Sequence, residues 1–202
     1  AEILRGDLGD ATALERGVAE SDATVHTAAI VLGGADWPAF HAANVAPTEA
    51  LATIAGRHGA RLVHLSSVAV HGRRNTYAAG RNSVTEDFGL DQPAFPGDHY
   101  ARSKREAEQA LWRIAEATGL RAVALRPCVI YGEGDRQFAP RVAAALRIGR
   151  GVAPLFGRGG NLLSVVYAGN VAAAVLAALD RREATGPYLV ANDGGITLRE
   201  FL

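Results

Sequence analysis

The sequence contains no methionine, a single cysteine and a single lysine among its 202 residues. With Cys128 alone no internal disulfide can form, and the usage fits a reducing, cytoplasmic compartment. A zinc site built on a cysteine pair is excluded for the same reason. Net charge is lacking too: 21 basic residues offset 21 acidic ones, so no global field draws the chain to nucleic acid or to an anionic membrane. Apolar runs are short against the roughly 20 residues a membrane-spanning helix needs, so no span is expected. No secretory leader is expected either, because the chain opens in strand-like sequence. The missing methionine, absent even at position 1, hints at a piece of something longer. His26, His41, His58, His64, His71 and His99 show no metal-ligand spacing, so no metal site is expected.

What is present is a chain 49% hydrophobic, enough for a substantial core, whose pattern alternates strand and helix. Strands are expected at 23–29, 61–65, 121–125, 162–167 and 187–191. Helices are expected at 44–58, 101–118, 138–148 and 170–182, several of them closed by glycine (Gly59, Gly119, Gly149). The polar stretch 71–97 is expected to be a long loop, and loops of that length are usually functional. Thr197 and Glu200 have capping-box spacing. Such alternation predicts an α/β fold, a parallel sheet with helices on both faces. We expect a dinucleotide-binding part over 1–135 and a substrate-binding region over 136–202, interleaved with the last sheet elements.

The chemistry centres on the lysine. Of 21 basic residues one is Lys104, leaving 20 arginines, and Lys104 stands four residues after Tyr100 near a helix start. That spacing puts the phenol and the ammonium on one helix face. A nearby cation lowers a phenol's pKa toward the working pH, which makes it a general acid or base. Arginine supplies charge with a different shape and never gives up its proton. Read alone, the pair is equally a chance spacing on a solvated helix. Ser66 and Ser67 follow the strand 61–65, and the carboxyl ends of strands in parallel sheets are where ligands bind. Serine is also common in ordinary strand-end turns.

Taken in order along the chain, these segments resemble the extended short-chain dehydrogenase/reductases of the NAD-dependent epimerase/dehydratase superfamily. Gly6-Asp7-Leu8 is similar to the segment that meets the adenine ring. Val25 to Ala29, ending in Ala28-Ala29, resembles the strand that passes behind the cofactor, and Asn44-Val45 the start of the next helix. Leu65 to Gly72 resembles the catalytic serine segment, and Tyr100 to Glu108 the active-site helix. Leu125 to Gly132 resembles the segment whose backbone from Pro127 to Val129 holds the nicotinamide end.

The resemblance implies a Rossmann-like doubly wound sheet and hydride transfer with NAD or NADP. Tyr100 would give or take the hydroxyl proton, Ser67 would fix the substrate oxygen, and Lys104 would hold the nicotinamide ribose and depress the Tyr100 pKa. Cofactor contacts would come from Asp7, Leu8, Ala28, Ala29, Asn44, Ser66, Pro127 and Val129. The sequence departs from the family in one respect. No G-x-x-G-x-x-G segment stands between a first strand and a helix to cradle a pyrophosphate. The first two strands, the first helix and the glycine-rich loop are therefore expected upstream of Ala1. The chain as given is expected to bind cofactor poorly or not at all, and the residue choosing NAD or NADP is expected in the same missing part.

For substrate, Leu163 stands where the nucleotide-sugar branch carries an arginine, while Tyr167-x-x-Asn170-Val171 resembles the 3β-hydroxysteroid dehydrogenase-like branch. A hydroxyl or ketone on an apolar molecule is the favoured small-molecule substrate, with His71 on the substrate side or in solvent. Arg136 and Arg158 keep a phosphorylated sugar open as the alternative. A non-catalytic nucleotide-binding module is the third reading, and the presence of tyrosine, lysine and serine together argues against it. A homodimer through the Tyr100 helix and the helix before it is a further expectation.

Overall fold

The computed structural model describes residues 3–31, 35–75, 84–87, 90–91, 94–136, 138–148, 160 and 162–201. Along the chain run α1 (Ala11–Ala19), β1 (Ala23–His26), α2 (Trp37–Phe40), α3 (Ala46–His58), β2 (Arg61–Leu65), α4 (His99–Thr118) and β3 (Ala122–Pro127). There follow β4 (Val129–Tyr131), α5 (Phe138–Ile148), β5 (Leu162–Leu163), β6 (Val165–Tyr167), α6 (Ala168–Asp180), β7 (Gly186–Val190), β8 (Ile196–Thr197) and α7 (Leu198–Phe201). A π-helical turn, His41–Val45, joins α2 to α3, and a 3₁₀ segment, Val68–Asn75, follows β2. The chain forms two compact units: Ala1–Arg126 with Ala177–Leu189, and Pro127–Leu176 with Val190–Leu202.

In the first unit the sheet order is β1-β2-β3-β7, and β1–β2 and β2–β3 pair in parallel. This is the α/β, Rossmann-like arrangement that the strand–helix alternation predicts. The central strand β2 is buried from Arg61 to His64, as a parallel strand covered on both faces must be. The core sits between the sheet and α1, α3 and α4: Val18, Leu51, Ile54, Leu62, Leu111, Leu120 and the small Ala52, Ala55, Ala122 and Ala124. Leu62→Ala would leave a cavity there at a cost of about 2–5 kcal/mol. Helices α3 and α4 touch so closely that a Cβ on Gly56 would lie 2.7 Å from Thr118 Oγ1. That contact fixes the helix that carries Tyr100 and Lys104.

Several boundaries differ from the sequence expectation. Helix α4 starts at His99 because the Asp98 side chain accepts from the Ala101 N–H at 2.9 Å, a cap that holds the first turn. Strand β1 ends at His26, and the chain from Thr27 to Val31 runs on without strand pairing. The start of the polar stretch is not loop but the 3₁₀ segment Val68–Asn75, with Gly72 at φ 56°. Helix α1 is not among the helices expected from the sequence, and Asp10 caps it through the Thr12 and Ala13 N–H groups.

In the second unit β4 pairs with β6 in parallel and β5 with β8 in antiparallel register. The capping box forms: Thr197 N–H donates to Glu200 Oε2 at 2.8 Å and Glu200 N–H to Thr197 Oγ1 at 3.2 Å. Among the described residues no helix is long and apolar enough to cross a membrane.

Candidate active site

Three elements meet at the carboxyl end of β2. The strand delivers Ser66 and Ser67, and the Ser66 N–H continues the ladder by donating to Leu125 O at 2.7 Å. Capping by Asp98 sets Tyr100 in the first turn of α4, and Lys104 follows one turn later. The face that α4 buries is a stripe at helical spacing, Ala101, Ser103, Lys104, Ala107, Glu108, Ala110 and Leu111, with polar groups set among small ones. The turn His41–Val45 brings in Asn44, which is 2% exposed.

Ser67 and Tyr100 are joined by a side-chain hydrogen bond. Burial raises the Tyr100 phenol above its ordinary value of 10.0, the Ser67 bond opposes that rise, and the charge of Asp98 adds to it. The expectation that Lys104 depresses the Tyr100 pKa is therefore not met: burial leads the shift, and Lys104 is not among its causes. The Lys104 ammonium instead donates to Leu65 O at 2.8 Å, and burial lowers its own pKa from 10.5 to about 8, against the pull of Glu108.

Asn44 ties this corner together. Its amide bonds the backbone of Ile30 both ways, accepting from the N–H at 2.8 Å and donating to the carbonyl at 3.0 Å. It also donates to Ser103 Oγ at 2.9 Å, and Ser103 Oγ donates to Tyr100 O at 2.8 Å. The loop that follows Ala28 and Ala29 is thereby held to α4. Beneath lie two buried imidazoles, His26 and His64, with ring centroids 5.2 Å apart. His26 Nε2 meets Thr48 Oγ1 at 3.1 Å, and burial lowers its pKa to about 4. Burial holds His64 well below 6.5 as well.

The remaining sequence candidates lie elsewhere. Asp7 is exposed and its carboxylate accepts from the Gly9 N–H at 2.7 Å, with Leu8 half-buried in the same turn before α1. His71 neither faces solvent nor lines an open surface; it is 1% exposed, 3.4 Å from Arg126 Nη1 through its Nε2. Pro127 and Val129 belong to the second unit, where Val129 N–H donates to Ser164 O at 3.1 Å. Arg136 is exposed in that unit, and Arg158 lies outside the described residues. Cys128 is half-buried, and burial raises its thiol pKa, which suits no nucleophile. Among the described residues no group of three or more His, Cys, Asp or Glu is placed to hold a metal.

Sequence reasoning passed over Glu108 and Arg126. They form a buried ion pair with Nη2–Oε1 at 2.5 Å and side chains 0% and 2% exposed. The available signal was spacing alone, since Glu108 stands four residues after Lys104 and eight after Tyr100 on the same face.

A tyrosine, a serine and a lysine gathered at the carboxyl edge of a parallel sheet define the class: a Rossmann-like protein of the short-chain dehydrogenase type. The chain belongs to the NAD dependent epimerase/dehydratase family, whose pattern matches residues 1–192. It is 33% identical over 208 residues to the 2-alkyl-3-oxoalkanoate reductase of Stenotrophomonas maltophilia, covering 98% of this chain and 60% of that protein. It is 32% identical over 181 residues to the sterol-4-alpha-carboxylate 3-dehydrogenase of Candida albicans, covering 88% of this chain and 49% of that protein. Among solved structures, the dTDP-glucose 4,6-dehydratase DesIV of Streptomyces venezuelae, with NAD bound, aligns at a TM-score of 0.74 and 27% identity, covering 97% of this chain and 60% of that one. The chain thus spans about half to three-fifths of the length of these relatives.

Proposed function

We propose that this chain carries the proton-transfer half of an NAD(P)-dependent oxidoreductase that interconverts a hydroxyl and a ketone on an apolar small molecule. One observation carries the reading: the Ser67–Tyr100 hydrogen bond, with Lys104 one turn along the same helix. In the reducing direction Tyr100, kept protonated by burial, gives its phenolic proton to the substrate oxygen. Ser67 donates a second hydrogen bond to that oxygen and keeps it within reach of the phenol. Oxidation runs the same transfers backward.

The donor set fits the nicotinamide-ribose end of a dinucleotide. Lys104 offers a buried ammonium as a charged donor for a ribose diol, and Ser66, Asn44 and the backbone at Ala28 and Ala29 are the other proposed contacts. When bound, NAD(P) supplies or accepts the hydride. The described residues include no glycine-rich cradle for the pyrophosphate. Asp7 and Leu8 are the proposed adenine-side contacts.

The apolar substrate is supported by Leu163, which stands in the sequence where the nucleotide-sugar branch carries an arginine. It is supported too by relatives named for 2-alkyl-3-oxoalkanoates and for a sterol. Incubating the chain, joined to an N-terminal strand–glycine-loop–helix unit, with NADH or NADPH and either a 2-alkyl-3-oxo acid or a 3-ketosteroid tests it, by loss of absorbance at the nicotinamide band. Turnover that vanishes in Tyr100→Phe is expected. Turnover of dTDP-glucose with neither ketone reduced would move the chain to the nucleotide-sugar reading.

A further inference from the structure

We propose that Glu108 is a positioning residue: its buried carboxylate sets the distance between the helix that carries Tyr100 and Lys104 and the strand end that carries Ser67. The inference rests on the reading of Tyr100 and Ser67 given above.

Four donor groups converge on this one carboxylate, from three elements. Ser66 Oγ donates to Oε2 at 2.5 Å from the end of β2, one residue before Ser67. From β3, Arg126 gives Nε to both oxygens, at 3.1 and 3.2 Å, and Nη2 to Oε1 at 2.5 Å. Trp112 Nε1 donates to Oε1 at 3.1 Å from the next turn of α4. Arg126 reaches further, donating from Nη1 to Glu86 O at 3.2 Å, while Glu86 Oε1 accepts from the Leu189 N–H of β7 at 3.0 Å. A single side chain on α4 is therefore bonded to the ends of both strands that flank the proposed site.

Stability alone does not account for such an arrangement. Removing two charges from water costs several kcal/mol for each, and well-packed apolar replacements of buried ion pairs are often as stable or more so. What the pair supplies and an apolar pair does not is direction. Each of these hydrogen bonds holds only within a few tenths of an ångström and a limited angle, whereas apolar contacts slide. Ser67 itself is anchored weakly, its Oγ accepting from the Ala69 N–H at 3.2 Å. Its register against Tyr100 is thus inherited from Ser66, whose N–H is held by the Leu125 carbonyl and whose hydroxyl is held by Glu108. A misplacement of about 1 Å in such a pair lowers turnover on the order of 100-fold.

The test uses the whole chain labelled with ¹³Cζ-tyrosine, the Tyr100 resonance being assigned by its loss in Tyr100→Phe. Ser67→Ala gives the reference position for a phenol without its partner. The double variant Glu108→Leu/Arg126→Met removes the charges of that pair together and leaves Lys104 its bond to the Leu65 carbonyl. It is expected to fold and to move the Tyr100 resonance toward the Ser67→Ala position. Glu108→Gln and Ser66→Ala are expected to move it the same way by less, and they decide the matter if the double variant does not fold. In the active enzyme the same variants lower kcat more than they raise KM. A folded variant that leaves the Tyr100 resonance at its wild-type position overturns the proposal and makes Glu108 a packing residue. Ketone reduction at the wild-type rate by Tyr100→Phe would instead sink the catalytic reading and leave the resonance result standing.

Discussion

Lys104 Nζ donates to the carbonyl oxygen of Leu65 at 2.8 Å, so the lysine of α4 is tied to the strand end whose next two residues are Ser66 and Ser67. The contact is made at 4% exposure, where an ammonium loses most of its hydration. A site of this kind is bound to cost stability.

The cost is measurable. Burial lowers the Lys104 pKa from 10.5 to about 8, so between those values the unfolded chain holds a proton that the native chain has released. Native stability therefore rises with pH through that window, and the penalty is fully present below about pH 8. Its size is on the order of 3 kcal/mol from the shift alone, offset by about 1 kcal/mol for the bond to Leu65. Lys104→Met is expected to be more stable than wild type in urea at pH 7, with the gain shrinking toward pH 10.5. A variant less stable than wild type at pH 7 would contradict this.

The buried imidazoles act at the other end of the scale. The native pKa values of His26 and His71 lie at about 4, against 6.5 unfolded, and His64 lies well below 6.5. As pH falls below 6.5 the unfolded chain takes up protons that the native chain refuses. Stability present above about pH 6.5 is lost between there and pH 4, up to about 3 kcal/mol for His26. His26→Gln keeps a group that can meet Thr48 and is expected to flatten this acid limb in thermal melts from pH 7 to pH 4.

Asn44 fixes the loop after β1 through both bonds to Ile30 and its bond to Ser103. Asn44→Ala leaves half-buried backbone groups of Ile30 unpaired and is expected to cost about 1–3 kcal/mol. Asn44→Asp keeps the acceptor for the Ile30 N–H and loses both donated bonds. Hydrogen exchange at Ile30 is expected to quicken strongly in the first variant and less in the second.

Truncating the proposed acid and its partner should separate their roles. Tyr100→Phe removes the proton donor and is expected to lower turnover about 10²–10⁴-fold. Ser67→Ala leaves the donor but frees the substrate oxygen and the phenol, so a smaller loss is expected, with the Tyr100 pKa moving further up. Steady-state rates from pH 6 to pH 10 in both variants provide the check.

Much of this was legible in residues whose pattern is periodic or punctuated. Gly59 and Gly119 close α3 and α4 in left-handed conformations, so both ends were readable. Strand β2 runs over Arg61–Leu65 as its run of large buried residues suggests. Tyr100, Lys104 and Ser67 come together as their ordered segments imply. What stayed hidden depends on tertiary contact. Glu108 reads as one more helix-surface acid until Arg126, eighteen residues on, is seen opposite it. His71, expected on the substrate side or in solvent, is 1% exposed beside Arg126. Asn44 was readable as a helix start, but the π-helical turn that aims it at Ile30 leaves no mark in composition.

The most direct test of the account follows deuterium from the C4 position of labelled NADPH or NADH into a 2-alkyl-3-oxo acid. The measurement is made with this chain and with the same chain joined to an N-terminal strand–glycine-loop–helix unit. Deuterium on the new carbinol carbon, delivered at least by the joined protein and lost in Tyr100→Phe and Lys104→Met, is the predicted result. Absence of transfer from both proteins with both cofactors and with ketosteroid or nucleotide-sugar substrates, or transfer that persists in Tyr100→Phe, would contradict it.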